Sequence, residues 1–371
     1  MTDFFVSAAI GIIRFVDLFF RPVKLKRKVT VISRQADEPT LDISLLKNYL
    51  DEAGIDTVVL TKKLNRSFAG GLSYCMHMLK QIRHIADSRV VVIDGYCIPV
   101  SVLPKKQGQC VIQMWHALGA VKKFGWQNTD RPDGHSRAVS EKMNMHGNYD
   151  YVLAPGRITG SFFAEAFRVP EESMVYMNLP RVDYIRADSA DLKAEIMAEY
   201  PQIGERKIVL YVPTFRKNAA LDMEKFVKGF DFSRFALVIK KHALDKGDYS
   251  WAEDAGAIAD NRYSSMDWLR ICDKVVTDYS AIAFEAAVRD TELYFYQPDE
   301  GSYEHNVGLN MDLRKEAVGG YVCRTEEELF RCLGEEYRKE AVRDFRSKYI
   351  EADTDGCTKK LGDFIIEKVS G

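Results

Sequence analysis

The chain has 371 residues, 46% hydrophobic and 29% charged, a globular balance too long for one ordinary core and suited to two domains of similar size. A formal net charge of −2 excludes nucleic-acid binding by global charge, so any anion site must come from local clusters. Seven cysteines are scattered at 75, 97, 110, 272, 323, 332 and 357, with no CxxC pair, no zinc spacing and no cleavable signal pattern, and are read as reduced thiols.

Residues 4–20, FFVSAAIGIIRFVDLFF, are nearly all apolar but carry Arg14 and Asp17. At 100° per residue, Asp3, Ser7, Arg14, Asp17 and Arg21 fall on one stripe, and Phe4, Phe5, Ile12, Phe15, Phe19 and Phe20 lie elsewhere on the wheel. The run is short for a spanning helix and interrupted by charge. Arg21, Lys24, Lys26, Arg27 and Lys28 follow, so residues 1–27 read as an amphipathic helix with a basic run, suited to an anionic membrane surface. A helix packed on the protein's own core, or a dimer contact, is the alternative.

Short β-branched runs then alternate with helical patterns. Strands are expected at 28–33, 56–61, 89–94, 110–115 and 149–154, with helices at 41–53 and 71–85. A second series follows at 207–212, 235–240, 274–277, 292–296 and 320–324, with helices at 223–229, 265–272, 281–288 and 326–337. Continuous apolar strands alternating with helices indicate an α/β chain with parallel sheets covered on both faces. Two such sets predict two Rossmann-like domains, 28–184 and 185–371, facing a central cleft, divided in the polar stretch from Leu179 to Gly204. Ligands of such sheets bind beyond the carboxyl ends of the strands.

Four strand ends carry candidate chemistry. In Gln113-Met-Trp-His-Ala-Leu-Gly119, His116 follows a buried-type strand beside the turn residue Gly119, with Lys122 and Lys123 next. A histidine titrating near neutrality there suits a general base; a core or capping histidine is the bland reading. In Leu210-Tyr-Val-Pro-Thr-Phe-Arg216, Pro213 stops a strand and Arg216 follows, a residue type that pairs with phosphate through parallel donors. Val238-Ile-Lys-Lys-His242 delivers Lys240, Lys241 and His242 together, either a pyrophosphate clamp or a solvated strand terminus. Val275-Val-Thr-Asp-Tyr-Ser-Ala-Ile-Ala-Phe-Glu285 reads as strand, turn and helix. Ser280 is a natural N-cap there, Thr277, Asp278 and Ala281 lie around the helix start, and Glu285 is placed to reach a ribose hydroxyl.

There is no GxGxxG and no Walker loop. His77 and His84 read as structural, His135 and His146 flank a polar loop, and Asp353-Thr-Asp355 reads as surface. No metal site and no cofactor is implied.

Taken together and in order, QMWHALG, YVPTFR, VIKKH and VTDYSAIAFE resemble the bacterial CDP-glycerol glycerophosphotransferases of teichoic acid synthesis. Ser33-Arg34-Gln35 with Pro39 and Asp42, Pro180-Arg-Val-Asp183, and Tyr303-Glu-His-Asn-Val-Gly-Leu-Asn310 resemble further motifs of that family. The similarity runs from about Lys28 to about Asp312, with one departure: Ala243 stands where the family is expected to carry proline. The resemblance implies a GT-B fold and a transfer of glycerol phosphate from CDP-glycerol to a hydroxyl of a lipid-linked saccharide acceptor, releasing CMP. It implies His116 and His242 as catalytic residues, with His116 facing the acceptor as the candidate base and His242 holding the donor's phosphates. Arg216, Lys240, Lys241, Thr277, Asp278, Ser280, Ala281 and Glu285 would hold donor phosphates and nucleotide, and Arg181, Gly119 and Lys122 would support the acceptor side. Such phosphoryl chemistry rests on positioning and charge, which His, Arg and Lys supply. The expected location is peripheral, on the cytoplasmic face of the membrane. CDP-ribitol is the nearest rival donor, a sugar-nucleotide glycosyltransferase the nearest rival enzyme, and a membrane-bound scaffold with a dead site the non-enzymatic reading. The chain's length suits a priming enzyme or a capsule enzyme, and its oligomeric state is not indicated.

Overall fold

Runs of β-branched residues with no polar alternation can be buried on both faces only inside a parallel sheet, and the chain builds two such sheets. The computed structural model describes residues 2–64, 67–214, 216, 223–241 and 247–371; of the side chains at 2–5, 68 and 69 nothing is said. His242 and Ala243 therefore lie outside the described residues.

The chain opens with α1 (Thr2–Phe20), then β1 (Lys26–Ser33), α2 (Leu41–Glu52), β2 (Asp56–Thr61), α3 (Phe68–Asp87), β3 (Ser88–Ile93), α4 (Ile98–Val102) and β4 (Cys110–Gln113). After α5 (Arg137–Lys142) come β5 (Tyr151–Ala154), α6 (Arg157–Phe167), β6 (Met174–Tyr176) and α7 (Arg181–Arg186). The first sheet has the order β2-β1-β3-β4-β5-β6, parallel throughout, with Val29, Val31, Val90, Val92 and Ile112 fully enclosed. The chain goes from β1 to β2 on one side and then to β3 on the other, so the topological switch lies between β1 and β3.

The second series runs α8 (Ala190–Glu199), β7 (Lys207–Tyr211), α9 (Met223–Gly229), β8 (Phe235–Ile239), α10 (Ser250–Asp254), α11 (Ser265–Ile271), β9 (Lys274–Thr277) and α12 (Ile282–Val288). It continues through β10 (Glu292–Tyr296), α13 (Glu300–Asn306), β11 (Val322–Cys323), α14 (Glu326–Gly334) and α15 (Lys339–Tyr349), and α16 (Cys357–Ser370) ends the chain. The second sheet is ordered β11-β10-β9-β7-β8, again parallel, with its switch between β7 and β9. The strand expected at 320–324 is only two residues long, preceded by a 3₁₀ stretch over Ala317–Tyr321. The three-residue β6 lies in a segment where no strand was expected.

Contacts divide the chain into one unit of Met1–Ala117, Phe124–Asp183 and Ala352–Gly371, and another of Leu118–Lys123 and Tyr184–Glu351. The sequence reading placed residues 352–371 with the second half; instead α16 packs on α2 of the first sheet. Asp183 fixes this return, its carboxylate accepting from the backbone N–H groups of Cys357 and Thr358 at 2.8 and 2.7 Å.

α1 presents three faces. Ile10 and Ile13 pack on Ile82 of α3 and on Val102 and Leu103 at the end of α4, with Val6, Val16 and Phe20 beside them. Ile12, Phe15, Leu18 and Phe19 point to solvent, each more than half exposed. Arg14, Asp17 and Arg21 lie between these faces, and Asp17 is buried and accepts from Arg21 Nε at 3.1 Å. The basic run is shorter than its sequence suggests: Lys28 is buried in β1, bonded to Asp87 and to His84 Nδ1, and Lys26 shares the same Asp87. Among the described residues no helix is long and apolar enough to cross a membrane.

Candidate active site

In the first sheet the neighbouring strands β1, β3 and β4 each end in a polar group, so Gln35, Asp94 and His116 meet at the switch point. β4 stops at Gln113, earlier than expected, because the chain turns: Trp115 has φ 60°, a left-handed conformation costing on the order of 1–3 kcal/mol for a bulky residue. Gln113 holds this turn. Its fully buried amide accepts from Trp115 N–H at 2.9 Å and donates to the Gly95 carbonyl at 3.1 Å. The indole of Trp115 then lies against His116, 4.0 Å between ring centroids, and stacks on Phe124 at 4.8 Å.

His116 Nδ1 lies 2.6 Å from the Asp94 carbonyl oxygen. A carbonyl can only accept, so Nδ1 carries the proton and Nε2 is the basic nitrogen. Gln35 also reaches Nδ1, at 3.1 Å, and its amide oxygen rather than its nitrogen belongs on that side. His116 lines a cavity of about 400 Å³ together with Arg34, Tyr96, Asn128, His135 and His146. His146 is held neutral: burial, then Arg34 and His135, lower its pKa to about 3, and its Nδ1 pairs with the Tyr149 hydroxyl at 2.9 Å. His116 is therefore brought together with two other histidines, but His146 is a wall rather than a base.

Beneath this cavity Asp94 is buried and accepts from the Ser33 hydroxyl at 2.7 Å, while its Oδ1 has no hydrogen-bond partner among the described residues. Burial pushes its pKa up to about 7 against the Ser33 bond, and Asp42 nearby adds to the rise. Asp42 is itself clamped by Arg181, whose Nε donates at 2.8 Å and backbone N–H at 2.7 Å. Arg181 thus ties α7 to α2 as a structural pair.

The second sheet repeats the logic at its own switch. β9 is central, and Asp278 beyond it receives neighbours from β7 on one side and β10 on the other. Thr214 donates its N–H at 3.0 Å and its hydroxyl at 2.6 Å, Arg216 donates at 2.7 Å, and Gln297 donates to the Asp278 carbonyl at 3.1 Å. Arg216 also forks onto Asp299 at 2.7 and 3.0 Å and lies over the stacked rings of Tyr279 and Tyr303. Burial alone would lower its pKa; Asp299 and Asp278 outweigh that and raise it. The guanidinium expected to hold phosphate is thus committed to two carboxylates. Lys240, expected in a phosphate clamp, is buried and donates to the Asp260 and Tyr263 carbonyls and to the Asp260 carboxylate. Lys241 donates to the Gly247 carbonyl at 3.1 Å beside the Tyr249 ring.

Thr277 is buried, donating to the Val212 carbonyl at 2.8 Å, and Glu285 is buried within α12. Ser280 is not the N-cap: Ala281 occupies that position, and the Ser280 hydroxyl accepts only a long bond of 3.4 Å from Ile282 N–H. Gly119 is required by packing, since a Cβ there would stand 2.4 Å from the Phe284 ring. Lys122 belongs to this second unit; burial lowers its pKa, Asp278 opposes the shift and Arg216 adds to it. Residues 118–123 are held by the motif near the end of the chain, with Asn310 donating to the Ala120 and Lys122 carbonyls at 3.3 and 3.2 Å.

Sequence reasoning missed Asp94, Gln113, Asp299 and Asp260. Gln113 and Asp94 each carried a signal, a polar residue at the end of an otherwise apolar strand; Asp260 and Asp299 carried none.

A family model described as CDP-Glycerol:Poly(glycerophosphate) glycerophosphotransferase matches residues 16–367. The chain belongs to this family. It is 28% identical over 288 residues to the teichoic acid ribitol-phosphate primase of Bacillus spizizenii, covering 74% of each chain. It is also 28% identical over 299 residues to the teichoic acid glycerol-phosphate primase of Staphylococcus aureus, covering 79% of this chain and 77% of that one. Among solved structures, a variant of the wall teichoic acid polymerase TagF soaked with CDPG superposes with a TM-score of 0.77 over 100% of this chain and 95% of that one, at 18% identity, a likeness of fold.

Proposed function

We propose that this family member is a priming enzyme that transfers glycerol phosphate from CDP-glycerol to a hydroxyl of a lipid-linked saccharide at the cytoplasmic face of the membrane. The acceptor oxygen forms a bond to the distal phosphorus of the donor, the bridging P–O bond breaks, and CMP leaves with the electron pair. The acceptor proton passes to His116 Nε2. The observation that carries this reading is the Asp94 carbonyl fixing the His116 proton on Nδ1, which makes the other nitrogen a base within a polar cavity. His242 is assigned to the donor phosphates by the family resemblance, with Lys122 and Lys241 as further cations of the second unit. Arg216 shapes the loop around Asp278 rather than gripping phosphate.

Ribitol is the second reading of the donor, favoured by the ribitol-phosphate primase among the relatives. The two primases among the relatives, matched over 74% and 77% of their own chains, support a priming role. The test is to incubate the protein with CDP-glycerol, CDP-ribitol or UDP-sugars and a lipid-linked disaccharide. CMP release with CDP-glycerol at the highest kcat/KM is expected; UDP release alone would overturn the reading.

A further inference from the structure

The cavity of about 400 Å³ that holds His116 has an unbalanced lining. The described residues that line it include one guanidinium, Arg34, and three imidazoles, but neither Asp nor Glu. Arg34 is partly buried and lies over the Tyr96 ring, 5.6 Å from its centroid, and among the described residues its guanidinium makes no hydrogen bond or ion pair. The other arginines near the strand ends are neutralised: Arg181 clamps Asp42, and Arg216 forks onto Asp299 and bonds to Asp278. Five N–H donors on a partly buried wall with no carboxylate beside them suit an oxyanion.

Local chemistry puts Arg34 there. Ser33 closes β1, its hydroxyl donating to the buried Asp94 at 2.7 Å and accepting from Gln35 N–H at 3.1 Å, a turn that sets Arg34 and Gln35 together on the cavity wall. Gln35 reaches His116 Nδ1 at 3.1 Å, and Gly95 makes room for it, since a Cβ there would stand 3.2 Å from the Gln35 amide nitrogen. Arg34 is therefore the chain neighbour of a residue in contact with His116. Tyr96, under the guanidinium, is fixed by its hydroxyl donating to the Met143 carbonyl at 3.2 Å. Burial, then Arg34 and His135, hold His146 neutral, so Arg34 carries the permanent positive charge of this cavity.

We propose that Arg34 is the phosphate-binding residue of the His116 cavity, its guanidinium forked onto two oxygens of a phosphoryl group beside the attacking hydroxyl. This rests on the transferase reading above and deepens it, because that reaction brings a phosphoryl group to the very oxygen that His116 deprotonates. One chemistry has two sources here: the phosphoryl group being transferred, or a phosphate ester that the acceptor already carries. A guanidinium grips either through parallel charge-assisted bonds, a geometry that lysine does not reproduce.

The test uses the full chain with Arg34→Gln and Arg34→Lys, each checked for folding by circular dichroism. Inorganic phosphate is titrated while the imidazole proton resonances of His116, assigned by their loss in His116→Ala, are followed by NMR. Phosphate should shift them in the unsubstituted chain, and Arg34→Gln should weaken that response about tenfold or more, with Arg34→Lys between the two. Should Arg34→Gln not fold, Arg34→Lys carries the same comparisons, keeping the charge but not the fork. Kinetics with CDP-glycerol then separate the sources, using a saccharide acceptor either neutral or bearing a phosphate ester beside its hydroxyl. If the transferred phosphoryl group is held, Arg34→Gln lowers kcat about tenfold or more with both acceptors. If the acceptor's phosphate is held, KM rises by about that factor for the phosphorylated acceptor alone. No response to phosphate in the unsubstituted chain, or one unchanged in Arg34→Gln, would overturn the proposal. Unaltered kcat and KM with both acceptors would overturn it as well, because the guanidinium would then only pack on Tyr96. Failure of the transferase reading shows separately, as unsubstituted protein that releases no CMP from any CDP-polyol while phosphate still shifts the His116 resonances.

Discussion

At the scale of single residues, His116 and Asp94 divide the work of one corner. In the proposed reaction His116 holds the proton-accepting nitrogen, and Asp94 supplies the carbonyl that sets its tautomer. His116→Ala should lower kcat by roughly 10²–10⁴-fold with donor affinity nearly intact, because only the proton acceptor is removed. Single-turnover kinetics with calorimetry of CDP-glycerol binding would check this, and near wild-type turnover would remove His116 from the mechanism. Asp94 predicts a pH effect on stability. Its carboxyl pKa of about 7 lies above the unfolded value, so the folded chain holds the extra proton between about pH 4 and 7. The associated stability is fully present below about pH 4 and is lost as pH rises through about 7, by roughly 4 kcal/mol at most. Asp94→Asn should flatten this part of the profile in urea denaturation between pH 4.5 and 8. Parallel profiles for variant and wild type would mean that the buried carboxyl is not protonated in the folded state.

At the scale of elements, strands were legible because continuous apolar runs have one physical solution, and β2, β9 and β10 coincide with the expected runs. What the strand ends do was less legible, since side-chain partners come from adjacent strands far apart in the chain. Arg216 after a Pro-Thr turn looks like a phosphate ligand until Asp299, 83 residues on, is placed beside it. Arg216→Ala should therefore act on folding, leaving Asp278 and Asp299 without their cation at a cost of about 3–5 kcal/mol. Arg216→Lys should recover part of this, lacking the fork. Unchanged denaturation midpoints with lower CDP-glycerol affinity would restore the phosphate-ligand role. The helical wheel of α1 had the opposite ambiguity, membrane face or core face; the helix has a core face and, apart from it, an exposed apolar face. Deleting residues 1–22 would uncover Ile82, Val102 and Leu103, so truncation should lower stability as well as vesicle binding. Phe15→Ser with Phe19→Ser should reduce vesicle co-sedimentation while shifting unfolding by no more than about 0.5 kcal/mol. Loss of folding in that variant would mean the exposed face has a protein partner.

At the scale of the whole molecule, the two alternating series were readable but the ownership of the last twenty residues was not. The apolar spacing of Leu361, Ile365 and Val369 announces a helix face without saying which sheet it covers. The answer lies in contacts of long sequence separation. Tyr49 of α2 donates to Asp363 at 2.7 Å, its ring occupies the space a side chain at Gly362 would take, and Asn178 donates to the Ala352 and Asp353 carbonyls at 3.0 and 3.1 Å. Leu361, Ile365 and Val369 are all buried there, and each such side chain contributes about 1.5–3 kcal/mol. Their sum is comparable to the 5–15 kcal/mol by which a domain is ordinarily stable. A chain ending at Glu351 should thus lose the first unit selectively. Hydrogen exchange should accelerate across β1, β3 and β4 while β7, β9 and β10 keep their protection, and CDP-glycerol binding by the second unit should outlast turnover. Uniform acceleration in both sheets would show that the units fold as one cooperative body, and acceleration confined to the second sheet would return α16 to the half in which the sequence placed it.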